Sequence, residues 1–262
     1  MRALVERIAL GAAKALGENF GKEGIDRVLG YHGSDSTRLI DKISEDLIIE
    51  SFVKEGIKAT FVSEESGVIV RGNEYLILVD PLDGSTNFVS GVPWSSVSIA
   101  VYKPGSAFLD SLAGAVVNVF TNDVYSYEGG KSFHNGEEVG RPDKFRNVML
   151  IYMNKRVIDA IAKFVKSLDR DYKLRSYGSA SLDMILVCTG KAALYADIRG
   201  KLRNIDIAAS ANFCNNVKIT PVDLEGKPLN DVSVKEVTEV KEVVTSPYSE
   251  LLSTFLLSAR KV

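Results

Sequence analysis

The sequence predicts an α+β fold in which two sheets are covered by helices. Three observations carry that expectation. The first 140 residues run two amphipathic helical patterns and then a series of β-rich segments, as helices laid on a mostly antiparallel sheet would. The remaining residues alternate strand and helix patterns, which predicts a second sheet with helical cover. No Pro/Ser/Gly-rich linker divides the 262 residues, so 1–262 is read as one domain with packed halves at 1–140 and 141–262.

The elements follow in order. Leu4, Ile8, Ala12 and Leu16 recur at four-residue spacing and predict a helix over 2–18. The polar, glycine-rich stretch from Leu29 to Ser36 reads as a mobile loop. A second helix follows, with Leu39, Ile43 and Leu47 on one face, Asp41 in its first turn and Gly56 past its end. Ala59–Ser63 is a short strand stopping at Glu64-Glu65. Val68–Val70 and Tyr75–Val79 are strands around a turn at Gly72-Asn73. Segments 96–102, 112–120 and 124–127 are β-rich, and Asn135-Gly136 marks a tight hairpin. Beyond residue 140, strands are expected over 148–153 and 192–198, and helices over 157–168, 179–189, 205–215 and 249–259.

Composition narrows the function classes. The chain is 45% hydrophobic and 25% charged, within the globular range, and its formal net charge is −2. That balance offers no general attraction to nucleic acid or to an anionic membrane, so neither is expected as a partner. Charges within Met1–Arg7 interrupt any signal-peptide core, and no run approaches the roughly 18 apolar residues of a membrane span. A cytoplasmic protein is the expectation. His32 and His134 are the two histidines, too few for a zinc site or a His-based triad to draw on. Cys188 and Cys214 fall in apolar, helix-like stretches and read as buried thiols rather than a disulfide.

The chemistry concentrates in Leu78–Phe88. An apolar strand delivers Asp80 and Asp83, three positions apart, and breaks at once into Gly84-Ser85-Thr86-Asn87. A plain Asp-Gly turn capped by Asp83 or Asn87 is the bland alternative. Carboxylates directly on a strand end, beside exposed backbone amides, instead suit a divalent cation and a phosphate held together. Oxygen ligands without imidazole or thiolate favour Mg²⁺ or Mn²⁺.

Asp80-Pro81-Leu82-Asp83-Gly84-Ser85-Thr86-Asn87-Phe88 resembles the signature of the inositol monophosphatase family, within the lithium-sensitive phosphatases that include fructose-1,6-bisphosphatases. Ser63-Glu64-Glu65-Ser66 resembles the family's glutamate-bearing strand end. Asn204-Ile205-Asp206-Ile207-Ala208-Ala209 resembles its second signature, with Ile205 where tryptophan is usual. The resemblance implies a sugar-phosphatase fold, layered αβαβα with two sheets sandwiched by helices. It implies two to three Mg²⁺ ions: one held by Glu64, Asp80 and the Leu82 carbonyl, one by Asp80, Asp83 and Asp206, and a third, weaker ion met by Glu64. Ser85, standing where the family has threonine, would orient the nucleophilic water with Glu64. Amides of Gly84, Ser85 and Thr86 would receive phosphate oxygens. Asp41 resembles the carboxylate that meets the third ion from the preceding loop, which is more like archaeal members. Glu65 is assigned a supporting role rather than direct ligation, since neighbours on a strand face opposite ways.

Arg175-Ser176-Tyr177-Gly178-Ser179-Ala180 resembles a family element whose glycine and hydroxyl residue, here Gly178 and Ser179, border the sugar or inositol ring; Ser179 also reads as a helix N-cap. Asp197 is the counterpart of an acid that binds ring hydroxyls. Arg199, Lys201 and Arg203 pack three cations into five positions, a patch suited to gripping a second, unhydrolysed phosphate. Tyr172, Lys173 and Arg175 are further candidates for that patch, Arg175 reading equally well as structural. The implied function is a Mg²⁺-dependent phosphomonoesterase acting on fructose 1,6-bisphosphate and inositol 1-phosphate by in-line attack of metal-activated water, like the archaeal dual-specificity enzymes. The alternatives are a 3′-phosphoadenosine 5′-phosphate or NADP phosphatase of the same fold, and a non-catalytic phosphate-binding protein. A homodimer is expected from the same resemblance.

Overall fold

The computed structural model describes residues 1–32 and 35–260, with residues 31, 32 and 35–37 described by backbone alone. α1 (Arg2–Asn19) buries Val5, Ile8, Ala9, Ala12 and Leu16 as its periodicity requires. β1 (Val28–His32) and β2 (Asp35–Arg38) then pair antiparallel. This hairpin replaces the loop expected there, of which Gly33 and Ser34 lie outside the described residues. α2 (Leu39–Lys54) buries Ile40, Ser44, Ile48 and Phe52 together with Asp41 and Glu45, one position on from the expected stripe. The cause is chemical. Ser44 Oγ donates to the Pro81 carbonyl at 2.8 Å, and Glu45 accepts from the Ser66 amide at 3.1 Å. Polar groups needed inside make hydropathy a poor guide to that face.

β3 (Ala59–Ser63), β4 (Gly67–Val70), β5 (Tyr75–Asp83), the short α3 (Ser85–Val89), β6 (Ser96–Tyr102), β7 (Ala113–Asn118), β8 (Val124–Glu128), β9 (Lys131–His134) and β10 (Glu137–Val139) complete the first half. The strands form one eight-stranded sheet in the order β10-β9-β8-β7-β6-β5-β3-β4. β3 lies between β4 and β5, so the two strands on either side of the expected Gly72-Asn73 turn do not pair with each other. β3 and β5 run parallel, while the other described pairs of this sheet are antiparallel. The expected turn at Asn135-Gly136 is present, with φ of 50° and 85° closing His134 onto Glu137.

β11 (Val148–Tyr152), α4 (Ile158–Lys166), β12 (Lys173–Arg175), α5 (Ala180–Cys188), β13 (Leu194–Asp197), β14 (Leu202–Arg203), α6 (Asn204–Asn216), β15 (Glu239–Val240), β16 (Val243–Thr245) and α7 (Ser249–Ala259) follow. The second sheet has the order β12-β11-β13-β16. Strand alternation sets the layers. Phe61, Ile77, Val79, Val97 and Ile99 pack with α1 and α2 on one side of the first sheet. Val62, Leu78, Ala100 and Val116 face α5 and α6, which also meet Leu150 and Tyr195 of the second sheet. Met149, Ile151, Leu194 and Ala196 face α4 and α7. The result is αβαβα, and each such buried aliphatic side chain contributes on the order of 1.5–3 kcal/mol.

Cys188 and Cys214 form a disulfide, with Cα atoms 5.3 Å apart, between the packed helices α5 and α6. The expected thiols rested on compartment and burial; the helix pairing brings the two Cα atoms within disulfide reach, which a spacing of 26 residues cannot reveal. Among the described residues, no helix is long and apolar enough to cross a membrane.

Candidate active site

The parallel pairing of β3 with β5 builds the first part of the site. Ser63 pairs with Val79, so the next residues, Glu64 and Asp80, leave adjacent strands side by side. β5 continues through the acidic pair, its register against β6 shifting between Asp80 and Asp83. The Leu82 amide donates to Asp80 Oδ1 at 3.1 Å. Gly84 then turns the chain at φ 85°, and a Cβ there would stand 3.1 Å from both the Gly178 and Trp94 carbonyl oxygens. Gly178 (φ 96°) is equally constrained, since its Cβ would meet Asn87 Nδ2 at 2.8 Å. Asn87 donates to the Trp94 carbonyl at 2.8 Å and the Tyr177 carbonyl at 2.6 Å, fastening the turn to the segment before α5.

Two helix starts supply the rest. Asp83 caps α5: its Oδ1 accepts from the Ala180 amide at 3.0 Å, and its Oδ2 accepts from the Ser181 amide at 2.9 Å and Ser179 Oγ at 2.5 Å. Ser179 is the N-cap of α5 as expected. Asp206 lies in the first turn of α6, where its Oδ2 accepts from the Arg203 amide at 2.8 Å. Ser181 Oγ donates to the Asp206 carbonyl at 2.7 Å and ties the two helix starts together. Ile205, in the place usual for tryptophan, is buried in the central core.

A cavity of about 600 Å³ is lined by Glu64, Glu65, Asp80, Leu82, Asp83, Gly84, Ser85, Thr86 and Asp206, and equally by Gly178, Arg199, Lys201 and Arg203. Burial and crowding make the acids resist ionisation. Burial, with repulsion from Glu64, Asp83 and Asp206, raises Asp80 well above the usual carboxylate range. Burial pushes Asp83 up to about 7, against the hydrogen bond from Ser179, and Asp206 up to about 6, against the pull of Arg203. Burial, then Glu65 and Glu64, push Asp41 up to about 8.

The donors fit a hard divalent cation in kind: four carboxylates and the Leu82 carbonyl, with neither imidazole nor thiolate. The buried Asp41 Oδ1 accepts no hydrogen bond, Asp206 Oδ1 has the Arg203 guanidinium 3.4 Å away, and a cation would relieve the repulsion among Asp80, Asp83 and Asp206. As the side chains stand, no three described His, Cys, Asp or Glu residues gather as a metal cage. The Arg203 guanidinium lies among them, hydrogen-bonded to Glu64 Oε1 and 3.4 Å from Asp206 Oδ1.

Other expected site residues stand apart from the cavity lining. Asp41 is buried behind it, its Oδ2 accepting from the Arg38 amide at 3.2 Å. Ser179 is wholly buried and serves Asp83. Asp197 is buried, and its carboxylate is bound by Arg199 through Nε at 3.0 Å and a terminal nitrogen at 2.6 Å, so it orients that arginine. Arg175 is exposed on β12 and donates to the Leu174 carbonyl, while Tyr172 packs toward α4 and α7. Lys173, exposed on β12, does not line the cavity either. Sequence reasoning missed Tyr152 and Asp183. Tyr152 lines the cavity, carries Arg199 over its ring at 4.6 Å, and donates to the buried Asp183 Oδ2 at 2.9 Å. Asp183 also accepts from Trp94 Nε1 at 2.9 Å and the Tyr177 amide at 3.2 Å. A lone acid inside an apolar helix, Asp183 in Leu182–Cys188, was the signal available.

The model of the inositol monophosphatase family matches residues 1–253. An inositol-1-monophosphatase from Aeropyrum pernix is 35% identical over 225 residues, 83% of each chain. A fructose-1,6-bisphosphatase/inositol-1-monophosphatase from Thermococcus kodakarensis is 30% identical over 258 residues, 95% of this chain and 94% of that one. A crystal structure described as an inositol monophosphatase–fructose 1,6-bisphosphatase superposes with a TM-score of 0.83 at 27% identity, covering 98% of both chains.

Proposed function

This chain belongs to the inositol monophosphatase family, and from that premise we propose that it hydrolyses both fructose 1,6-bisphosphate and inositol 1-phosphate. It is a phosphomonoesterase of a magnesium-dependent family. One observation carries the finer reading: the acids of the metal set and the cations Arg199, Lys201 and Arg203 line one cavity. A substrate with two phosphates can be held at both, whereas inositol 1-phosphate needs the acids and the Gly84 turn alone.

Glu64, Asp80, Asp83, Asp206 and the Leu82 carbonyl would hold the ions. When bound, Mg²⁺ supplies Lewis-acid stabilisation of charge on the transferred phosphoryl group and eases deprotonation of water. The chain does the remainder. Glu64 and the Ser85 hydroxyl orient the attacking water, and the amides of Gly84, Ser85 and Thr86 donate to the phosphoryl oxygens in charge-assisted bonds. Gly178 shapes the floor beneath the ring. Arg199, held by Asp197 and the Tyr152 ring, offers its fork to the second phosphate with Lys201 beside it. Homologues named for both activities support the pairing, and the same membership supports a homodimer.

Replacing Arg199 and Lys201 together by Ala should raise KM for fructose 1,6-bisphosphate about ten-fold or more while moving KM for inositol 1-phosphate less than about three-fold, as loss of one or two charge-assisted bonds predicts. Equal effects on both substrates would contradict a second-phosphate site.

A further inference from the structure

Arg203 is a cavity cation whose guanidinium binds two of the acids assigned to metal. It bridges Glu64, at the end of β3, and Asp206, on α6, which stand far apart in sequence. Its own amide donates to Asp206 Oδ2 at 2.8 Å. Arg199, by contrast, is held by Asp197 and faces the Tyr152 ring. Arg203 therefore lies against the carboxylates that a divalent ion would use, so the two cations compete for the same negative charge.

We propose that Arg203 is a displaceable built-in cation: it neutralises the carboxylate cluster until metal arrives, and metal binding expels it toward Arg199 and Lys201. This rests on the metal-dependent reading above. The charge arithmetic supports exchange. Glu64, Asp80, Asp83 and Asp206 together carry four negative charges when ionised, and one arginine offsets only one of them. Two divalent ions offset all four, after which a neighbouring guanidinium is surplus and repelled. The side chain is about a quarter exposed and already lines the cavity that Arg199 and Lys201 share, so it can swing toward them without leaving it. Metal binding thus prepares the anion pocket, so metal and the second phosphate favour each other through one residue, reciprocally as linkage demands.

The test is Mn²⁺ titration by calorimetry, without substrate, on the full chain and on Arg203→Met and Arg203→Lys. Paired thermal melts in chelator and in saturating Mn²⁺ accompany it. Arg203→Met should bind Mn²⁺ about ten-fold tighter or more than wild type, and Arg203→Lys, which keeps the charge without the fork, should fall between. Arg203→Met should melt below wild type in chelator and level with it in saturating Mn²⁺. A packing role alone would lower both melts equally, and that result would overturn the proposal. So would unchanged or weaker Mn²⁺ affinity in Arg203→Met. Absence of Mn²⁺ binding by wild type would overturn the metal reading itself, and is distinguished by the wild-type arm.

Discussion

Asp80 stands 2% exposed among Glu64, Asp83 and Asp206, so its charge opposes folding at the same time as it equips the site. Removing that charge should separate the two roles. Asn at this position keeps an oxygen to accept from the Leu82 amide, so the local turn survives. If Asp80 is shared by two ions as proposed, Asp80→Asn is expected to lose about a thousand-fold or more in kcat. It should also melt about 2–4 °C higher in chelator, because one buried like charge is gone. Thermal melts and phosphate release on the same preparation check both. Asp83 differs, because its two oxygens already cap α5 through the Ala180 and Ser181 amides, and a neutral amide there would face those donors.

At the scale of elements, α5 and α6 matter most, since their first turns carry the Asp83 cap and Asp206, and their far ends are joined by Cys188–Cys214. Replacing both cysteines by Ala should lower the unfolding free energy by about 3.5 kcal/mol, the value for closing a loop of this length. Urea denaturation measures it, and two free thiols in the denatured, unreduced wild type would contradict the bridge. The helices themselves were legible, because their apolar spacing is a local property, and α7 spans the predicted 249–259. The acidic corner was legible for a similar reason: Asp80 to Phe88 is contiguous. What escaped was set by distant partners. The two-residue strands β14 and β15, the parallel pairing of β3 with β5, the disulfide and the Asp183–Tyr152 bond each join segments whose proximity no local pattern encodes. Asp197 and Arg199 were both singled out, but the hydrogen bonds that pair them with each other were not.

Over the whole molecule, the buried acids make stability depend on pH and metal together. Asp41, Asp83, Asp183 and Asp206 are pushed up to about 8, 7, 6 and 6, in each case chiefly by burial. Between the ordinary carboxylate value and these values the folded chain keeps protons that the unfolded chain releases, so stability falls as pH rises through that window. In chelator the protein should melt lower at pH 8 than at pH 5. Saturating Mg²⁺ should flatten that slope, since a cation favours the ionised acids. A higher melt at pH 8 in chelator would contradict the crowded-acid site. The central claim, a metal-dependent phosphomonoesterase whose cavity accepts a second phosphate, is tested most directly by phosphate release. The substrates are fructose 1,6-bisphosphate, inositol 1-phosphate and 3′-phosphoadenosine 5′-phosphate, each with Mg²⁺ and with chelator. Release from the first two with Mg²⁺, and none in chelator, is the result predicted. Turnover that persists in chelator, or that is confined to the nucleotide, would contradict it.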